Sequence, residues 1–209
     1  MGTYEFKGVT KAQTIKAVFV KAEYEFPFAD VAEDAWYYND VLNAHKLGLI
    51  DGLTPTEYKP AGNLTIAEAI KLAVCMHQLY HDGKVTLENG TVNWYDTYVE
   101  YALENKVITS IYDNYDEYAT REEFARIFYH ALPSTELNAI NSVDDNAIPD
   151  IKMSDPYASE IYALYRAGVV VGNDDMGTYR PKDNIMRSEV AAVLSRMMDS
   201  TSRKHITLP

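Results

Sequence analysis

Two arginines stand where helix electrostatics disfavours a cation. Arg121 in "ATREE" and Arg187 in "MRSEV" each follow a cap position and precede an apolar helical run. A first-turn cation opposes the positive end of the helix dipole. Two such placements in a chain rich in acids need a reason outside the helix. The flanking Thr120 and Glu123 need no ligand to explain them, because Thr-x-x-Glu is a capping box.

Other reactive residue types carry less. His77 and His81 are four apart, but a metal needs more converging ligands, and "NDDMG" (173–177) lacks the alternating oxygens of a calcium loop. The single Cys75 excludes an internal disulfide framework and a cysteine-based zinc site, and it sits in an apolar run, "IKLAVCMHQL". No Gly-x-Ser-x-Gly, phosphate-binding glycine loop or His-Glu-x-x-His occurs, so a non-catalytic protein without a cofactor is expected.

The elements that position the arginines come in copies. "LTIAEAIKLAVCM" (64–76), "ATREEFARIFYHA" (119–131) and "IMRSEVAAVLSRM" (185–197) align on Glu68, Glu123 and Glu189. The apolar columns Ala69/Phe124/Val190, Leu72/Ile127/Val193, Ala73/Phe128/Leu194 and Met76/Ala131/Met197 follow i, i+3, i+4, i+7, one buried helical stripe. In the first copy Ile66 stands where the other two have arginine. A preceding helix aligns as well: "WYYNDVLNAHKLGLI", "WYDTYVEYALENKVI" and "YASEIYALYRAGVV", with Gly48, Lys106 and Gly168 just past its end. A left-handed cap is expected at that point, and Lys106 would be strained in it. Copies one and three share Tyr-x-Pro between their helices, and copy two lacks it.

These alignments divide the chain into a β-patterned segment (1–26), three repeats (27–80, 81–135, 136–199) and a tail (200–209). The alternating residues of 1–26 read as the remnant of a preceding β domain in preference to a strand segment integral to the helical fold, and a larger polypeptide N-terminal to residue 1 is expected. The fold class is mainly α, built of tandem helix–loop–helix units. With 19 basic and 31 acidic residues the net charge is −12, which argues against nucleic acid and anionic membranes as partners. No run reaches membrane-spanning length, so membrane insertion is not expected. The cysteine scarcity fits a cytosolic protein or an exported Gram-positive one. Seventeen tyrosines suit ligand contact or a narrow, wet core.

The stretches "FADVAEDAW…GLIDG…YKP…LTIAE", "WYDTYVEYALENKVI…ATREE" and "IPDIKMSDPYASEIYALYRAGVVVGN…YRPKDNIMRSE" resemble the S-layer homology module, over roughly residues 27–199. The resemblance implies a pseudo-threefold trimer within one chain around a central three-helix bundle. It implies non-covalent attachment of an exported protein to secondary cell-wall polysaccharide of a Gram-positive cell, often through a pyruvate ketal on the sugar. It assigns contact with the ketal carboxylate to Arg121 and Arg187, whose guanidiniums can form paired, charge-assisted hydrogen bonds while helix-start amides add partial positive charge. It assigns sugar stacking to Trp36, Trp94 and Tyr157, and hydroxyl or backbone contacts to Asp30, Asp150, Gly52 and Gly172. The groove at Ile66 is expected to lack its anion clamp, leaving at most two competent sites. "RKHITLP" resembles a natural chain end, and the fragment is expected to be monomeric. A different reading is a structural module that has lost glycan binding and packs on other proteins, in keeping with Ile66, Lys106 and the missing Tyr-x-Pro.

Overall fold

The computed structural model describes residues 24–209, so the strand expectation over 1–26 falls almost wholly outside the described residues. The described chain is mainly helical, with six α-helices: α1 (Tyr38–Lys46), α2 (Ile66–Asp82), α3 (Asp96–Glu104), α4 (Arg121–Tyr129), α5 (Ala158–Arg166) and α6 (Arg187–Met198). Among the described residues no helix is long and apolar enough to cross a membrane.

The second helices begin where their caps put them. The Thr65 hydroxyl accepts the Glu68 amide while Glu68 accepts the Thr65 amide, and Thr120 and Glu123 repeat the exchange at α4. At α6 Met186 replaces the threonine. Only the return half survives there, with the Met186 amide donating to Glu189 at 3.0 Å. The short first helices end in left-handed residues at Gly48, Lys106 and Gly168, with φ of 69°, 60° and 71°. Lys106 is exposed and carries the strain expected of a side chain in that conformation. Lys106→Gly is therefore expected to raise stability by about 1 kcal/mol, a midpoint increase of roughly 2–4 °C in thermal unfolding followed by circular dichroism. An unchanged midpoint would mean that the lysine stem makes up the difference.

The helices of one repeat do not make the main pairs. The second helix of each repeat packs on the first helix of the next: α2 on α3, α4 on α5, and α6 back onto α1. α2 also touches α4. Of the aligned apolar columns, Ala69, Phe124, Val190, Ala73, Phe128 and Leu194 are buried, while Leu72 is half-buried and lines a cavity.

The chain closes again at the segments leading into α2, α4 and α6. The Leu64 amide donates to the Ile185 carbonyl, Ile185 to Ala119, and Ala119 back to Leu64, at 3.3, 3.1 and 2.9 Å. The tail is tied down as well. Lys204 donates its amide to the Gly168 carbonyl, and Asn141 bonds both Lys204 and Ile206. Much of the tyrosine complement serves the core, since Tyr58, Tyr162, Tyr165 and Tyr179 are fully buried.

Candidate functional site

Each arginine is locked to a tyrosine of another repeat. The Arg121 Nε donates to the Tyr179 carbonyl at 2.7 Å, and the Tyr179 hydroxyl returns a bond to the Arg121 carbonyl at 2.8 Å. The guanidinium lies 4.9 Å from the centre of the Tyr179 ring. Arg187 and Tyr58 repeat this clasp, with both hydrogen bonds at 2.8 Å and the cation 4.7 Å from the ring centre. Burial pushes both phenols upward, so they stay neutral donors. The tyrosines belong to the two Tyr-x-Pro loops. At the third junction Ile66 is buried, and α2 starts against Tyr115 and Glu117 of the copy without Tyr-x-Pro. The lost arginine and the lost loop motif are thus two halves of one missing clasp.

The helix starts themselves offer less than expected. The amides of Arg121 and Glu122 are taken by the Asp183 and Pro181 carbonyls, and those of Arg187 and Ser188 by Gly62 and Pro60. Ile66 and Ala67 give theirs to Glu117 and Tyr115. Donors at these ends are already engaged by neighbouring loops, which corrects the expectation that they would help bind an anion. The guanidiniums are what remains.

Two cavities lie beside the clasps. A cavity of about 350 Å³ between α2 and the Gly48–Leu53 loop is lined by Arg187, Tyr58, Gly52, Glu68, Lys71 and Trp94. A cavity of about 380 Å³ beside α6 is lined by Arg121, Tyr179, Gly172, Glu189, Arg196 and Trp36. Each joins an arginine, a tryptophan and a glycine from separate parts of the chain. At the third junction the space lined by Val107–Ser110, Tyr112, Arg126 and Ile127 shrinks to about 10 Å³.

The two arginines differ in what they hold. Arg121 is 6% exposed and its Nη1 pairs with Glu189. Arg187 donates Nε to the Tyr58 carbonyl and Nη2 to the Asp51 carbonyl at 2.8 Å, and among the described residues it has no acidic partner. In the α2 cavity the Lys71 ammonium sits 5.5 Å from the Trp94 ring centre and 5.1 Å from that of Tyr98. Trp36 in the α6 cavity is 62% exposed and leans edge-on against Tyr37.

The remaining candidates sort by placement. Gly52 and Gly172 line the cavities because nothing larger fits. A Cβ at Gly52 would lie 2.3 Å from the Thr54 oxygen, and one at Gly172 would lie 2.3 Å from Gly177 Cα. Asp30 and Asp150 line neither cavity. Their carboxylates accept the amides of Tyr58 and Lys59, and of Tyr179 and Arg180, at 2.7–2.8 Å. Lys59 and Arg180 have φ of 55° and 57°, so each aspartate holds a strained loop that presents the clasp tyrosine. Tyr157 caps α5, the place of Tyr37 and Tyr95 rather than of the tryptophans, which stand one residue earlier. Arg126 covers its ring at 4.9 Å. Residue type alone does not mark Lys71, Glu189 or Arg196 as cavity residues. Their spacing along the helix face that lines the cavities is the signal the sequence holds.

A family model described as the S-layer homology domain matches residues 27–70 and 147–191, the two copies that carry Tyr-x-Pro. The chain is 31% identical over 147 residues, 65% of its length, to a surface-layer 125 kDa protein of Lysinibacillus sphaericus, of which it spans 12%. It is 22% identical over 86% of its length to an amylopullulanase of Thermoanaerobacterium thermosulfurigenes and over 84% to exoglucanase XynX of Acetivibrio thermocellus. It spans 10% and 16% of those proteins.

Proposed function

We propose that this chain, which carries S-layer homology domains at residues 27–70 and 147–191, anchors a larger exported polypeptide to the surface of a Gram-positive cell. The grip is non-covalent and its target is secondary cell-wall polysaccharide. The chain acts as a surface-binding module and carries out no reaction. The three similar proteins are all far longer than this chain, which suits a module attached to different cargoes.

The observation that carries the polysaccharide reading is the twofold recurrence of arginine, tryptophan and glycine around an open cavity. A saccharide needs flat aromatic surface for its C–H faces and fixed donors for its oxygens. A pyruvyl carboxylate on the sugar would meet the guanidinium. Arg187, Gly52 and Trp94 form one groove and Arg121, Gly172 and Trp36 the other. Asp30 and Asp150 act behind them, by holding the loops. Tyr157 lies at the closed junction.

The experiment is co-sedimentation with purified wall sacculi, before and after extraction of their secondary polysaccharide. The chain is expected to pellet with intact sacculi and to stay in the supernatant once the polymer is removed. Removing pyruvate from the isolated polymer is expected to weaken binding. Equal pelleting with stripped sacculi would overturn the reading. Self-association in light scattering without polymer binding would favour a protein-packing module instead.

A further inference from the structure

One guanidinium is buried more deeply than its bonding explains. Arg196 lies in the third turn of α6 and is 7% exposed. Its Nη1 donates to the Val169 carbonyl at 3.1 Å. Its Nε is buried without any acceptor, the only such side-chain atom among the described residues. No carboxylate of those residues pairs with it; Asp40 on α1 acts on it only through its field. Burial pulls its pKa down, the mark of a cation short of compensation. Such a charge costs several kcal/mol, at order of magnitude, unless something pairs with it.

Arg196 lines the α6 cavity with Trp36, Arg121 and Glu189. Glu189 already neutralises Arg121 at one end. Arg196 is seven residues further along α6, about 10 Å along the helix axis. The same position in α2 is Cys75, a neutral thiol lining the other cavity. There the added cation is Lys71, about one turn from Glu68. The two cavities therefore carry their second cation at different depths.

We propose that Arg196 is an anion subsite of the α6 cavity, taking a carboxylate of an acidic saccharide unit whose ring lies toward Trp36. This rests on the polysaccharide reading above and deepens it. The two grooves are not copies: each selects a different register of charge along the polymer.

The test uses the full chain with Arg187→Ala, which removes the arginine of the other groove and leaves Lys71 there as the one lining cation. Affinity for isolated wall polysaccharide is measured by calorimetry, for the native polymer and for polymer whose carboxyl groups have been reduced. Adding Arg196→Met, which keeps much of the stem's bulk, is expected to weaken binding of the native polymer about tenfold. On carboxyl-reduced polymer the two chains should bind alike. Arg196→Lys should recover part of the loss. Without ligand, the thermal midpoint of Arg196→Met should equal or exceed that of its parent, since an uncompensated charge is gone. Equal affinity of the two chains for native polymer would overturn the subsite. A tenfold penalty that persists on reduced polymer would overturn it too, by making Arg196 a packing residue. If the unsubstituted chain fails to bind native polymer, the polysaccharide reading itself fails and the subsite falls with it.

Discussion

Arg121→Ala is expected to lower the thermal midpoint on the order of 10 °C, before any ligand is considered. The side chain is 6% exposed and joins two repeats. Its loss removes the Nε bond to Tyr179, the stacked cation over that ring, and the partner of Glu189. Glu189, a largely buried carboxylate, would keep only the Met186 amide. Breaking one side of such a pair costs about 3–5 kcal/mol, and each kilocalorie moves the midpoint of a chain this size by roughly 2–4 °C. Replacing both partners is expected to cost less than the sum. Arg121→Met with Glu189→Gln removes both charges, and the glutamine can still accept the Met186 amide. A midpoint within about 2 °C of the parent for Arg121→Ala would show that the pair contributes little. The consequence for function is direct. Wall binding lost through Arg121→Ala mixes a damaged fold with a missing contact, and the variant has to be compared at a temperature where it is fully folded.

Arg121 also shows how far sequence reasoning reaches. Its recurrence, its cap and its helix were legible, because periodicity and capping are local properties. So was the strain at Lys106, since a chain must turn where two of three copies place glycine. The partner of each helix was not legible. An apolar stripe states which face is buried, and says nothing about which helix covers it. Loops of this length allow pairing within a repeat as readily as between repeats, and the chain adopts the second. The clasp was half legible. Ile66 and the absent Tyr-x-Pro of the second copy were two visible losses, but only the exchange between repeats makes them one event. Asp30 and Asp150 suggest hydroxyl recognition by type, yet their oxygens go to loop amides, among them those of Lys59 and Arg180 at positive φ, a need that cannot be seen before the loop is. Tyr157 precedes Ile161 by four residues where Trp36 precedes Val41 by five, because Tyr157 holds the cap position of Tyr37 and not that of the tryptophan.

Arg187→Ala is expected to do the reverse of Arg121→Ala, with a modest loss of stability and a large loss of binding. Two carbonyls, of Tyr58 and Asp51, hold the guanidinium flat without neutralising it. No acid among the described residues pairs with it, and the cavity beside it also contains Lys71 and Trp94. The protein therefore keeps a positioned charge that its own fold does not consume. A charge-assisted hydrogen bond to a carboxylate is worth about 1.5–3 kcal/mol, so affinity for isolated wall polysaccharide should fall roughly 10- to 100-fold. The bonds to Tyr58 and Asp51 are neutral on the acceptor side and half exposed. Their loss should cost about 1–3 kcal/mol and a midpoint shift of several degrees. Arg187→Lys keeps the charge but not the planar fork that reaches both carbonyls, so it should recover only part of the affinity. Calorimetry at 10 °C, where both arginine variants remain folded, separates the two roles. If Arg187→Ala binds like the parent there while Arg121→Ala does not, the groove beside α6 holds the ligand alone, and an unpaired arginine is no guide to where the polymer sits.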